Sequence, residues 1–165
     1  MAAKAAKPSH AAPAAALLLA LVPALIGLPR AEAATTERVV SDLLSGLAIS
    51  GIDPVSYFTH AAPIYGSTDN EYSYGGVVWL FRNIGDKAAF TAHPDVYMPR
   101  YGGYDPVALG RGVAVAGNPL VWAMVGERVY LFYDEKSRAR FLDNPIDAIG
   151  TAEDKWPAVM STLVP

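Results

Sequence analysis

The chain has 165 residues, enough for one domain with a proper core, and carries 13 basic against 16 acidic side chains for a formal charge of −3. Both signs are scattered without runs, which argues against a nucleic-acid partner. The sequence has no cysteine, so disulfides, lipoprotein acylation and thiolate metal sites are excluded.

The first element is a leader. Lys4 and Lys7 precede an apolar stretch from Ala11 to Leu28, and Ala31-Glu32-Ala33 supplies small residues at a cut site. This pattern predicts a signal peptide over residues 1–33, cleaved after Ala33, and a secreted or periplasmic domain over 34–165. Pro13, Pro23 and Gly27 disfavour the other reading, an uncleaved stretch retained as a membrane anchor.

Next, Thr35 and Thr36 can cap a helix whose apolar positions Val39, Val40, Leu43, Leu44 and Leu47 share one face. Gly51 to Pro54 reads as a turn, in which Asp53 bonds nearby amides. Ala61 to Asn70 reads as a surface loop. Glu71 to Tyr74 and Val77 to Phe81 flank Gly75-Gly76 and predict a hairpin. Asn83 caps a following helix that carries Phe90 and stops at His93, since Pro94 disfavours helical backbone before it.

The same order then returns. Asp105-Pro106-Val107 repeats Asp53-Pro54-Val55, and Tyr130-Leu131-Phe132 answers Trp79-Leu80-Phe81. Phe141 answers Phe90, and Asn144-Pro145 answers His93-Pro94. A hairpin turning at Gly126-Glu127 and a helix capped by Asp134 are predicted, then a helical piece from Ala152 to about Met160 interrupted at Pro157. A unit too small to close its own core does so against its twin. The expected fold is therefore α+β, with copies at about 48–101 and 102–156 packed as one domain behind an N-terminal helix.

Trp79-Leu80-Phe81, Phe90, His93-Pro94 and Tyr97 together resemble the end of a YHS domain. Ala48-Ile49, Gly51 and Asp53 to Phe58 are similar to the opening of secreted bacterial members of that family. The resemblance implies a small α+β scaffold found in metal transporters, metal sensors and monooxygenases, without fixing a function. Metal-associated members carry thiolates at places held here by Ser56, Arg82 and Asp86 and, in the second copy, by Ala108, Tyr133 and Ser137. Cu(I) and other soft metals need such ligands or clustered methionines, so the thiolate role does not carry over.

The remaining candidates are few. Asp53, His93 and Asp105 are the metal-ligand candidates, the two carboxylates being the oxygen donors that suit a hard cation. Each also has a plain structural reading, as turn starters for the two Asp-Pro pairs and as a helix-ending hydrogen bonder for His93. Tyr57, Arg100, Tyr101, Gly102, Gly103 and Tyr104 are the ligand-binding candidates. The last five join the copies, as a pocket or as a tight crossover, with glycines that let a ligand or backbone approach closely. No HExxH, P-loop, GxGxxG or Ser-His-Asp spacing is present. The sequence thus predicts a binding module for a small ligand, a hard metal or a periplasmic protein partner, with no cofactor identified. The alternative is an enzyme using Asp53, His93, Arg100 and Asp105 at the junction.

Overall fold

The computed structural model of the chain describes residues 1–3 and 37–164, and the predicted leader and the Thr35-Thr36 cap lie outside the described residues. The fold is α+β. Two antiparallel hairpins, β1 (Ser67–Tyr74) with β2 (Val77–Phe81) and β3 (Asn118–Val125) with β4 (Arg128–Phe132), form separate two-stranded sheets. Each hairpin is preceded by a one-turn helix, α1 (Ser56–Thr59) or α4 (Pro106–Leu109), and followed by a nine-residue helix, α2 (Ile84–Ala92) or α5 (Glu135–Asp143). A short helix α3 (Pro94–Tyr97) ends the first copy and a long one, α6 (Pro145–Met160), ends the second.

The repetition extends to irregular backbone. Ser67 pairs with Phe81 and Glu71 with Leu80, a bulge reproduced where Asn118 pairs with Phe132 and Trp122 with Leu131. Before each first strand stands a glycine with no room for a side chain. A Cβ on Gly66 would meet the Leu80 carbonyl carbon at 2.4 Å, and one on Gly117 would meet Leu131 Cβ at 2.6 Å. Both helix caps are as expected: the Asn83 side chain accepts the Asp86 amide, and the Asp134 side chain accepts the Ser137 amide.

Three expectations need correction. Residues 37–48 form no helix but an extended segment, with Glu37 bridging Val164, Ser41 bridging Ala48 and Leu47 bridging Val78. Its period is two: Val39 enters one buried cluster and Val40 the other, while Leu43 and Leu44 are exposed. Asp42 diverts the chain by accepting the Ser45 amide at 2.8 Å, a local partner that competes with helix. The loop before the first hairpin ends earlier than Asn70, since β1 begins at Ser67 beyond the bulge. The last helix starts at Pro145 rather than Ala152 and runs through Pro157. Asn144 caps it, its side chain accepting the Asp147 amide.

Two buried clusters make the core, and one strand serves both. Trp79, Phe81 and Phe90 anchor the first, with ring centroids 5.0 Å (Trp79 to Phe90) and 5.1 Å (Phe81 to Phe90) apart. Tyr130, Phe132 and Phe141 anchor the second with the same spacing, 5.0 Å for both pairs. Tyr130 and Phe132 point one face of β4 into the second cluster, while Val129 and Leu131 point the other into the first. Tyr57 locks the halves further: its hydroxyl donates to the Pro119 carbonyl at 2.7 Å and its ring lies 5.2 Å from Trp122.

Candidate functional site

The two Asp-Pro turns are the most deeply committed polar groups of the fold. Pro54 and Pro106 fix the chain direction, which aims each carboxylate inward. Asp53, fully buried, accepts the Val55 amide at 2.8 Å with Oδ1 and the Arg82 amide at 2.9 Å with Oδ2. Asp105, 1% exposed, accepts Val107 at 2.8 Å and Ala108 at 3.2 Å with Oδ1, and Tyr133 at 2.9 Å with Oδ2. Each clamp ties a turn to the residue that follows the second strand of its own hairpin. Burial pushes the Asp53 carboxyl up to about 6, helped by nearby Asp86 and held back by the Arg82 and Val55 amides.

Of the metal candidates, then, Asp53 and Asp105 each spend both oxygens on backbone amides within their own copy. His93 lies exposed between α2 and α3, where its amide reaches the Ala89 and Phe90 carbonyls, both at 3.1 Å. Among the described residues no group of three His, Asp or Glu is placed to hold a metal ion.

Around the Asp53 clamp, Ser56, Arg82 and Asp86 are each engaged by neighbouring groups. Ser56 Oγ lies 2.7 Å from the Asp53 carbonyl and 2.9 Å from the Ala62 carbonyl, and accepts the Ile64 amide at 3.1 Å. The Arg82 guanidinium sits on the His60 ring, 2.8 Å from Nε2. Asp86 takes the Asn83 side-chain amide at 2.9 Å.

Around the Asp105 clamp the corresponding places are open. Ala108, Tyr133 and Ser137 line a hollow of about 320 Å³ together with Asp105, Val107, Val115 and Asp134. Arg111, Lys136 and Arg140 stand on its wall. Lys136 and Arg140 are four residues apart on α5 and so share a face, while Arg111 comes from the turn after α4, its amide bonded to the Ala108 carbonyl at 2.9 Å. These three cations were not singled out by sequence reasoning. The signal was present in the repeat, since Lys136 and Arg140 stand where the first copy has Gly85 and Ala89.

The junction supplies a second hollow, of about 310 Å³, and here the predicted residues divide. Arg100, Tyr101 and Gly102 line it with Arg38, Asp95 and Trp156. Arg100 pairs with Glu153 and lies 5.3 Å from the Tyr101 ring. Burial opposes the charge on Arg100, and Glu153 more than offsets it, so its pKa is raised. Burial, with Glu153 second, also raises the Tyr101 phenol, whose hydroxyl is 3.3 Å from Glu153 Oε1. Tyr57, Gly103 and Tyr104 do not line it and are buried, as Tyr101 is too, with Tyr104 donating to the Glu37 carbonyl. Gly102 is a crossover residue. A Cβ there would fall 2.0 Å from the Arg38 carbonyl oxygen, because the 38–40 segment runs directly over it.

The four groups of an enzymatic junction are not brought together: Asp105 lines one described hollow, Arg100 another, and Asp53 and His93 line neither. Among the described residues no helix is long and apolar enough to cross a membrane. No protein-family model, curated protein or solved structure matches the chain.

Proposed function

We propose that the chain is a secreted or periplasmic binding module built from two YHS-like copies, in which the first copy is scaffold and the second carries the ligand site. The observation behind this reading is the contrast between the clamps. One frame occurs twice, with Asp53 bound to Arg82 and Asp105 bound to Tyr133, and among the described residues the Asp105 frame opens onto a hollow of about 320 Å³. In the Asp53 frame Arg82, the counterpart of Tyr133, turns its guanidinium to the His60 ring. Export rests on the leader pattern of residues 1–33.

Thermal-shift screening of the purified protein against divalent metals, haem and small metabolites tests the proposal. A ligand at 100 times its dissociation constant stabilises by about 2.7 kcal/mol, a shift well within reach of the method. A flat screen, together with no partner captured from periplasmic extract, would remove it.

A further inference from the structure

We propose that the hollow beside Asp105 takes a small organic anion, a carboxylate or phosphate ester, held by Arg111, Lys136 and Arg140. The proposal rests on the binding-module reading above and names the chemistry of its ligand.

Three cations from two elements converge on one concave surface in a chain whose net charge is negative. Among the described residues none of the three enters an ion pair, whereas Arg100 and Arg138 do. The lining thus carries three cations against the two carboxylates of Asp105 and Asp134, a formal excess of one positive charge that an anion would meet. The two acids keep their charge but turn oxygens toward backbone amides. Asp105 accepts three backbone amides, and Asp134 Oδ1 accepts the Ser137 amide at 2.7 Å. The side chains that can donate to an anion are the three cations, with the Ser137 hydroxyl beside them.

The first copy serves as an internal control. It builds the same hairpin, helix and clamp with Gly85 and Ala89 at the places of Lys136 and Arg140. The frame thus needs neither cation. Arginine suits carboxylate and phosphate because its fork donates two parallel hydrogen bonds. Val107, Ala108 and Val115 supply apolar wall for a hydrocarbon portion. A volume of about 320 Å³ lies at the lower end of small-molecule sites, which run from roughly 300 to 1,000 Å³, so the ligand is small.

The test is titration of the purified protein, at constant ionic strength, with citrate, glycerol phosphate and inorganic phosphate, followed by calorimetry and by amide NMR. Saturable binding of citrate or glycerol phosphate that shifts the Val107 and Ser137 amides is the expected result. Arg140→Ala and Lys136→Ala should each weaken it about tenfold, the loss expected for one charge-assisted hydrogen bond, with Lys87→Ala on α2 as the unchanged control. Absence of saturable binding to all three probes would overturn the proposal, as would binding that both variants leave intact. Inorganic phosphate binding as tightly as the organic anions would overturn the role given to Val107 and Val115. If all three fail while another compound in the screen stabilises the protein, the anion is lost and the binding module stands.

Discussion

The Asp53 carboxylate accepts the Arg82 amide at 2.9 Å across 29 residues of chain, and in doing so fixes a loop turn to the end of a strand. Removing it by Asp53→Ala strands the Val55 and Arg82 amides together, both inside or at the edge of the core. An unsatisfied buried donor costs about 1–3 kcal/mol, so a loss of about 2–4 kcal/mol is expected by urea denaturation. Asp105→Ala should lose a similar amount, since Asp105 holds the Val107, Ala108 and Tyr133 amides.

The same carboxyl sets a pH dependence. Its folded pKa of about 6 exceeds the ordinary value of 3.8, so the folded state binds the proton more tightly than the unfolded chain. This contribution to stability is fully present below pH 3.8 and is lost as pH rises through about 6. A carbon-13 titration of the Asp53 carboxyl should show a midpoint near 6, and Asp86→Asn, by removing a neighbouring negative charge, should lower it. A midpoint below 3.8 in the wild type would contradict the burial argument.

Because β4 belongs to both clusters, the copies should melt together. Phe90→Ala and Phe141→Ala, each emptying a fully buried ring site, are expected to cost about 3–5 kcal/mol and to unfold the domain in one transition. Hydrogen exchange decides it. Persistent protection of β2 in an unfolded Phe141→Ala variant would mean two independent units.

The turn of the second hairpin offers a gain. Gly126 and Glu127 both have positive φ, 58° and 59°, as a two-residue turn between right-twisted strands requires. The left-handed region costs a side chain other than glycine about 1–2 kcal/mol, and asparagine tolerates it better. Glu127→Asn should therefore raise stability by up to about 1 kcal/mol, read as a higher melting temperature.

The duplicated elements were legible in the sequence because their signals are local. Asn83 and Asp134 cap helices by side-chain chemistry within three residues, and Pro94 and Pro145 set boundaries by sterics. Residues 37–48 misled because Val39, Val40, Leu43, Leu44 and Leu47 fit a helical face, while the true partners, Gly102, Val78 and Val164, are remote in sequence. Among the site residues, Arg100, Tyr101 and Gly102 line a hollow at the junction, a stretch whose sequence is compatible with a pocket or a tight crossover. Whether Gly102 faces a ligand or a backbone depended on the path of the Arg38 segment, which no local pattern encodes. Arg111, Lys136 and Arg140 looked like ordinary surface charge until the fold placed them around one hollow.

The double allegiance of β4 also orders events during synthesis. Ile49, Ile52 and Tyr57 leave the ribosome early, yet their cluster is completed by Val129 and Leu131 some eighty residues later. Contacts so distant along the chain carry a loop-closure cost before they contribute, and they slow folding. Until Leu131 emerges, the first copy waits with one apolar side uncovered, and that nascent intermediate is the species most open to aggregation or to a chaperone.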